Sequence, residues 1–153
     1  MLALLKHMDR GLGGALSSFE VMWGDYYRAV TRPGAHPAPL PREHPFYVVL
    51  EMQGADQAAD AARFESTLSA ALAQGLVADA VVAQSLQDRH RLWAVREDFS
   101  SILHYRPQFL YDVSVPLRHM LEYVETVRAR LLALWPECLF YVLGHIGDGN
   151  FHA

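Results

Sequence analysis

Lysine is nearly missing from this sequence. Lys6 is the only one, and the twelve arginines are scattered rather than grouped. With a formal net charge of −4 and no basic block, the chain lacks the Lys/Arg stripe that neutralises phosphates, which argues against nucleic acid as a partner. Cysteine is equally scarce. Cys138 stands alone in the apolar run Cys138-Leu-Phe-Tyr-Val-Leu143, so no internal disulfide can form. A reducing compartment and a buried, inert thiol are expected, and the cytoplasm fits both. No apolar stretch approaches the ~20 residues of a membrane helix. The greasy start Met1-Leu-Ala-Leu-Leu has no charged region before it and no cleavage pattern after it, so it does not read as a signal peptide. No Gly-x-Gly-x-x-Gly follows the first candidate strand, and no phosphate-binding loop is present, which disfavours a doubly wound nucleotide fold.

What is present is a globular composition. Of the 153 residues, 52% are apolar and 20% charged, enough for one domain over residues 1–153 with a sizeable core. Two periodicities alternate along it. Partial alternation over Ser17–Trp23, the β-branched and aromatic run Phe46–Met52, Val77–Gln84, Phe109–Val115 and Leu139–Leu143 predict five strands. Helical spacing predicts a short helix near Asp25–Thr31 and longer ones over Asp56–Gln74, Ser85–Tyr105 and from Pro116 to about Trp135. Four prolines make Arg32–His44 a loop. Helices between a few strands imply an α+β fold: a ferredoxin-like layer with an antiparallel or mixed sheet and helices packed on one face.

Three places could carry chemistry. Gly147-Asp148-Gly149 is a tight-turn signal that folds the chain back and can bring His145 near His152. Converging imidazoles are good ligands for zinc or a similar divalent ion, although the spacing alone also fits two histidines that merely flank a turn. On the long predicted helix, Arg96 and Ser100 are four apart and border the apolar stripe of Leu92, Phe99 and Leu103. Such an arginine can offer its planar fork to a carboxylate, or simply snorkel to a surface acid. Strand alternation puts Asp112 and Ser114 on one face, where Ser114 is read as helping to start the next helix.

Taken together, Leu92-Trp-Ala-Val-Arg-Glu97, Tyr111-Asp-Val-Ser-Val-Pro116 and Gly144-His-Ile-Gly-Asp-Gly-Asn-Phe-His152 resemble the C-terminal (cap) domain of FAD-linked oxidases, in the branch of D-2-hydroxyglutarate and D-lactate dehydrogenases. Ser18-Phe-Glu20 and Pro45-Phe-Tyr-Val-Val-Leu-Glu51 extend the likeness over nearly the whole chain. The resemblance implies a ferredoxin-like cap over the flavin, with His145 and His152 as two ligands of a divalent metal, often zinc. It implies Arg96 and Ser100 as holders of a substrate carboxylate and Asn150 as a contact to the cofactor FAD. The implied reaction oxidises a D-2-hydroxy acid to a 2-oxo acid. Where the 2-hydroxyglutarate branch has a lysine before the Tyr-Asp pair, this sequence has Leu110, which points to a less acidic substrate. The family's flavin-binding domain, glutamate ligand and histidine base would lie outside this stretch. The chain therefore reads as a truncated part, without a catalytic base of its own and inactive by itself. Expected partners are a small 2-hydroxy acid, the flavin-binding domain and a second copy in a homodimer. A different class of function is a catalytically inactive, stand-alone domain that binds a protein through an exposed sheet edge, or a small carboxylic acid through Arg96.

Overall fold

The computed structural model describes all of residues 1–153. Helices α1 (Leu2–Gly11), α2 (Gly24–Val30), α3 (Gln57–Ala73), α4 (Leu86–Glu97) and α5 (Met120–Leu134) combine with strands β1 (Leu16–Trp23), β2 (Phe46–Met52), β3 (Asp112–Ser114), β4 (Leu143–His145) and β5 (Asn150–His152). The sheet has the order β2-β1-β4-β5-β3 and every neighbouring pair is antiparallel. This is the expected α+β layer, built as an open sheet.

The two faces of the sheet follow from the pleat, since alternate residues of a strand point to opposite sides. Phe19, Val21 and Trp23 of β1 join Leu4 and Met8 of α1, Leu68 of α3, Met120 and Val124 of α5 and Phe151 of β5 in the main core. Met22 of β1, Tyr47 of β2 and Leu143 of β4 point the other way, against Tyr26, Tyr27 and Val30 of α2 and Val95 of α4. The principal helix layer on one face is thus joined by a smaller one, α2 and α4, on the other. That second layer lies over β1 and β2, while the same face of β5 and β3 keeps Asp112 and Ser114 exposed and Asn150 and His152 half-buried.

Local signals explain both ends of α3 and the start of α4. Asp56 caps α3 by accepting from the N–H groups of Ala58 and Ala59, both at 3.1 Å, and Gly75 at φ +67° closes it. Ser85 caps α4, accepting from the Asp88 N–H at 3.1 Å.

Four expectations need correction. Helix α4 stops at Glu97 instead of running to Tyr105, because the Asp98 carboxylate takes the Ser101 N–H at 3.0 Å and the Ser100 hydroxyl at 2.6 Å. A local carboxylate competing for backbone donors favours a turn over another helical turn. Val77–Gln84 forms no strand. Its packed residues Val77, Ala80 and Val82 do not alternate, and Asp79 bonds the adjacent Ala80 N–H at 2.8 Å. The last apolar run joins the sheet at Leu143–His145 rather than Leu139–Leu143, and Cys138 ahead of it is half-buried. Helix α1 was not anticipated, although Leu4, Met8 and Leu12 are all buried at helical spacing. No helix is long and apolar enough to cross a membrane.

Candidate functional site

The site grows from the ladder register. Glu20 of β1 stands opposite His145 of β4, Leu143 of β4 opposite His152 of β5, and Asp112 and Ser114 of β3 opposite His152 and Asn150. Opposed residues in an antiparallel pair share a face. Glu20, His145, His152, Asp112, Asn150 and Ser114 therefore form a polar row across four strands, on the face that also carries α2 and α4.

The turn between β4 and β5 is what folds the row together. Ile146–Asp148 makes one 3-10 turn and Gly149 reverses the chain at φ +73°, a conformation glycine adopts without a Cβ penalty. Gly144 allows the strands to close, since a Cβ there would run into the Phe151 Cα and meet the Asn150 carbonyl oxygen at 2.6 Å. The His145 and His152 rings consequently stand 5.8 Å apart, centre to centre, and nearly perpendicular at 88°.

Each imidazole turns its Nδ1 towards an acid. His145 Nδ1 lies 2.7 Å from Glu20 Oε1, and His152 Nδ1 is 3.8 Å from Asp112 Oδ2. A carboxylate only accepts, so His145 donates from Nδ1, and in the neutral ring Nε2 is then the bare lone pair. The His145 side chain is 51% exposed and that of His152 31%. No group of three or more His, Cys, Asp or Glu side chains stands together as a metal-holding cluster.

Arg96, in the last turn of α4, is buried at 4% exposure. Its Nε and Nη2 donate to Glu20 Oε2 at 3.1 and 2.9 Å, leaving Nη1 without a hydrogen-bond partner in the chain. The alternative of an arginine snorkelling to a surface acid is therefore not what forms: the acid it meets is buried as well, at 5% exposure. Ser100 does not share a helical face with Arg96, because α4 has ended. Its exposed hydroxyl donates to Asp98 instead. Burial alone would raise the Asp98 carboxyl, but the Ser100 and Ser101 donors outweigh it and hold the group below its ordinary value. Asn150 donates from Nδ2 to Asp112 Oδ1 at 2.5 Å and to Ser114 Oγ at 3.3 Å, so Ser114 works within the sheet rather than as a helix start. Its Oδ1 is left for other contacts.

Sequence reasoning gave Glu20 no role of its own. The one signal was an acid inside the otherwise apolar run Phe19–Trp23, which a buried partner has to balance. A cleft of 480 Å³ beside this acid is lined by Ser18, Glu20, His145 and Asp148, with Lys6 and Asp9 of α1.

Comparison with known proteins places this geometry. The chain is 34% identical over 142 residues to the mitochondrial D-2-hydroxyglutarate dehydrogenase of Rattus norvegicus, covering 92% of this chain and 26% of the rat protein. It is 32% identical over 152 residues to the mitochondrial D-2-hydroxyglutarate dehydrogenase of Arabidopsis thaliana, covering 97% and 26%. A Schizosaccharomyces pombe protein named as a mitochondrial D-lactate dehydrogenase is 31% identical over 147 residues, covering 90% and 28%. The chain thus spans about a quarter of the length of the curated relatives it matches. The family model described as FAD linked oxidases, C-terminal domain, matches residues 1–153, and the chain belongs to that family.

Proposed function

We propose that this domain supplies the substrate-holding and metal-holding face of an FAD-dependent D-2-hydroxy acid dehydrogenase, which oxidises a small 2-hydroxy acid to a 2-oxo acid. The observation that carries the reading is the pairing of His145 and His152 at 5.8 Å, beside an arginine whose free Nη1 is held in place by a buried acid. Nitrogens bonding one tetrahedral zinc at about 2.0–2.1 Å place two imidazole centres roughly 5–6 Å apart, so the donor pair fits a zinc-like ion. Two histidines are half a ligand set, and the remaining donors would come from elsewhere in the enzyme or from substrate. When bound, the ion would supply Lewis acidity towards the 2-hydroxyl and the flavin a two-electron sink.

The residues of this chain bind and orient. Arg96 offers Nη1 to the substrate carboxylate while Glu20 fixes its other edge, and Ser100, whose hydroxyl hydrogen goes to Asp98, is assigned the second polar contact to substrate. Asn150, with its Nδ2 engaged by Asp112 and Ser114, would contact the flavin through its amide oxygen. The proton-accepting base is assigned to no residue of this chain, and FAD to a separate flavin-binding domain, so the chain alone binds without turnover. Leu110, with no charge to offer a second carboxylate, favours a less acidic substrate than 2-hydroxyglutarate. The lone Cys138 suits a reducing compartment, which cytoplasm and mitochondrial matrix share.

A second reading has its own support. The outer edge of β2 pairs with no strand and opens on a cleft of 1270 Å³, so strand addition by a protein partner, or by a second copy in a homodimer, is geometrically available.

The test is a zinc titration of the purified chain beside His145→Ala and His152→Ala, with D-lactate binding measured on Arg96→Met. One zinc per chain, lost in both histidine variants, supports the dehydrogenase reading. Equal zinc in all three chains overturns the ligand assignment. Unchanged D-lactate binding in Arg96→Met overturns the carboxylate assignment. Concentration-dependent dimerisation without zinc or acid binding would favour the second reading.

A further inference from the structure

We infer that Glu20 is a positioning residue that orients the metal-facing imidazole and the carboxylate-facing guanidinium as one unit; this deepens the function proposed above and rests on the roles given there to His145 and Arg96. Its carboxylate is nearly sealed from solvent and has three partners. Arg96 Nε and Nη2 donate to Oε2, His145 Nδ1 stands 2.7 Å from Oε1, and the Ser18 hydroxyl donates to Oε1 at 3.3 Å. The three come from α4, β4 and β1, and Glu20 is the acid they share.

Because both oxygens accept, the orientation of both neighbours is determined. Arg96 has donors only, so it must spend its Nε/Nη2 edge on Oε2 and leave Nη1 outward. His145 must carry its hydrogen on Nδ1, which bares Nε2, the nitrogen a metal requires. Neutral imidazole in water prefers the opposite tautomer, so the arrangement depends on Glu20.

A glutamine at this position has the same shape but one accepting oxygen. Arg96 would claim that oxygen. The amide NH2 would then face His145 Nδ1, which would have to accept and move its hydrogen to Nε2. Glu20→Gln should therefore close the metal-facing lone pair without emptying any volume.

The ring 15N resonances of His145, recorded at mildly alkaline pH without metal, read the tautomer directly. The expected result is Nδ1–H in the unaltered chain and in Glu20→Asp, and Nε2–H in Glu20→Gln. Zinc affinity by chelator competition should fall about 10–100-fold in Glu20→Gln, the usual effect of losing an outer-shell partner. Nε2–H in the unaltered chain overturns the inference with no variant needed. So does Nδ1–H retained in a Glu20→Gln chain whose amide spectrum shows the native fold. A tautomer that switches as expected in a chain that binds no zinc supports the positioning role and overturns the metal reading instead.

Discussion

The Tyr26 phenol donates a 3.0 Å hydrogen bond to the backbone carbonyl of Arg96, tying α2 to the last turn of α4. Carbonyls at a helix C-terminus lack intrahelical partners, and this one is buried, so the phenol satisfies it and fixes the backbone from which the Arg96 side chain projects. Tyr26→Phe should lower stability by about 1 kcal/mol in urea unfolding. Burial also pushes the Tyr26 phenol well above its ordinary range. A group raised in the folded state gives stability that is full below the unfolded pKa, about 10 for tyrosine, and is lost as pH rises beyond it. Thermal midpoints should fall above about pH 10, less steeply in Tyr26→Phe.

Glu51 contributes to the acid limb, beside Asp25 and Asp98. Hydrogen bonds from Arg89 hold its carboxyl below the ordinary range, with the Trp93 indole N–H at 2.7 Å adding to this against partial burial. A depressed carboxyl stabilises above its unfolded pKa, about 4.3, and this is lost as pH falls through the folded value. Melting temperature should therefore drop below about pH 4, and Glu51→Gln should flatten that drop. An unchanged acid limb in the variant would refute the assignment.

Arg96 and Glu20 form a buried ion pair, with side chains 5% and 6% exposed. Removing one partner leaves a charge without compensation, so Arg96→Met alone should cost about 3–5 kcal/mol. The double change of Glu20→Met with Arg96→Met should recover most of that loss, because no orphaned charge remains. Urea midpoints of the three chains decide it, and a double variant as unstable as the single would count against the pair.

Gly144→Ala tests the closure of the histidine turn. The new methyl has backbone, not a flexible side chain, in its way. Overpacking of this kind costs at least about 1–3 kcal/mol, and relief requires β4 and β5 to part, carrying His145 away from His152. Lower stability together with lost zinc capture is expected, measured by urea unfolding and chelator competition.

The elements that declared themselves in sequence were those whose stabilisation is local. Asp56 and Ser85 cap the helices they precede, and Gly147-Asp-Gly149 signals the reversal that joins the two histidines. Expectations failed where a competing contact was equally local but less visible. The Asp98 carboxylate ends α4 within three residues, so Ser100 left the helical face assigned to it. Glu20 was illegible for a different reason. Its partners Arg96 and His145 lie 76 and 125 residues away, and no short-range pattern records a contact made only when the sheet assembles.

The pleat of β3 and β5 has a consequence for how this domain could change over time. Phe151 belongs to the core and Val113 packs against it, while Asp112, Ser114, Asn150 and His152, their immediate neighbours in sequence, face outward on the polar side. The polar row and the core are thus written on alternate letters of the same short words. Substitution at the polar letters can alter the chemistry of the polar row without loosening the core. A single inserted residue, by contrast, would exchange the two alphabets and cost the domain both at once.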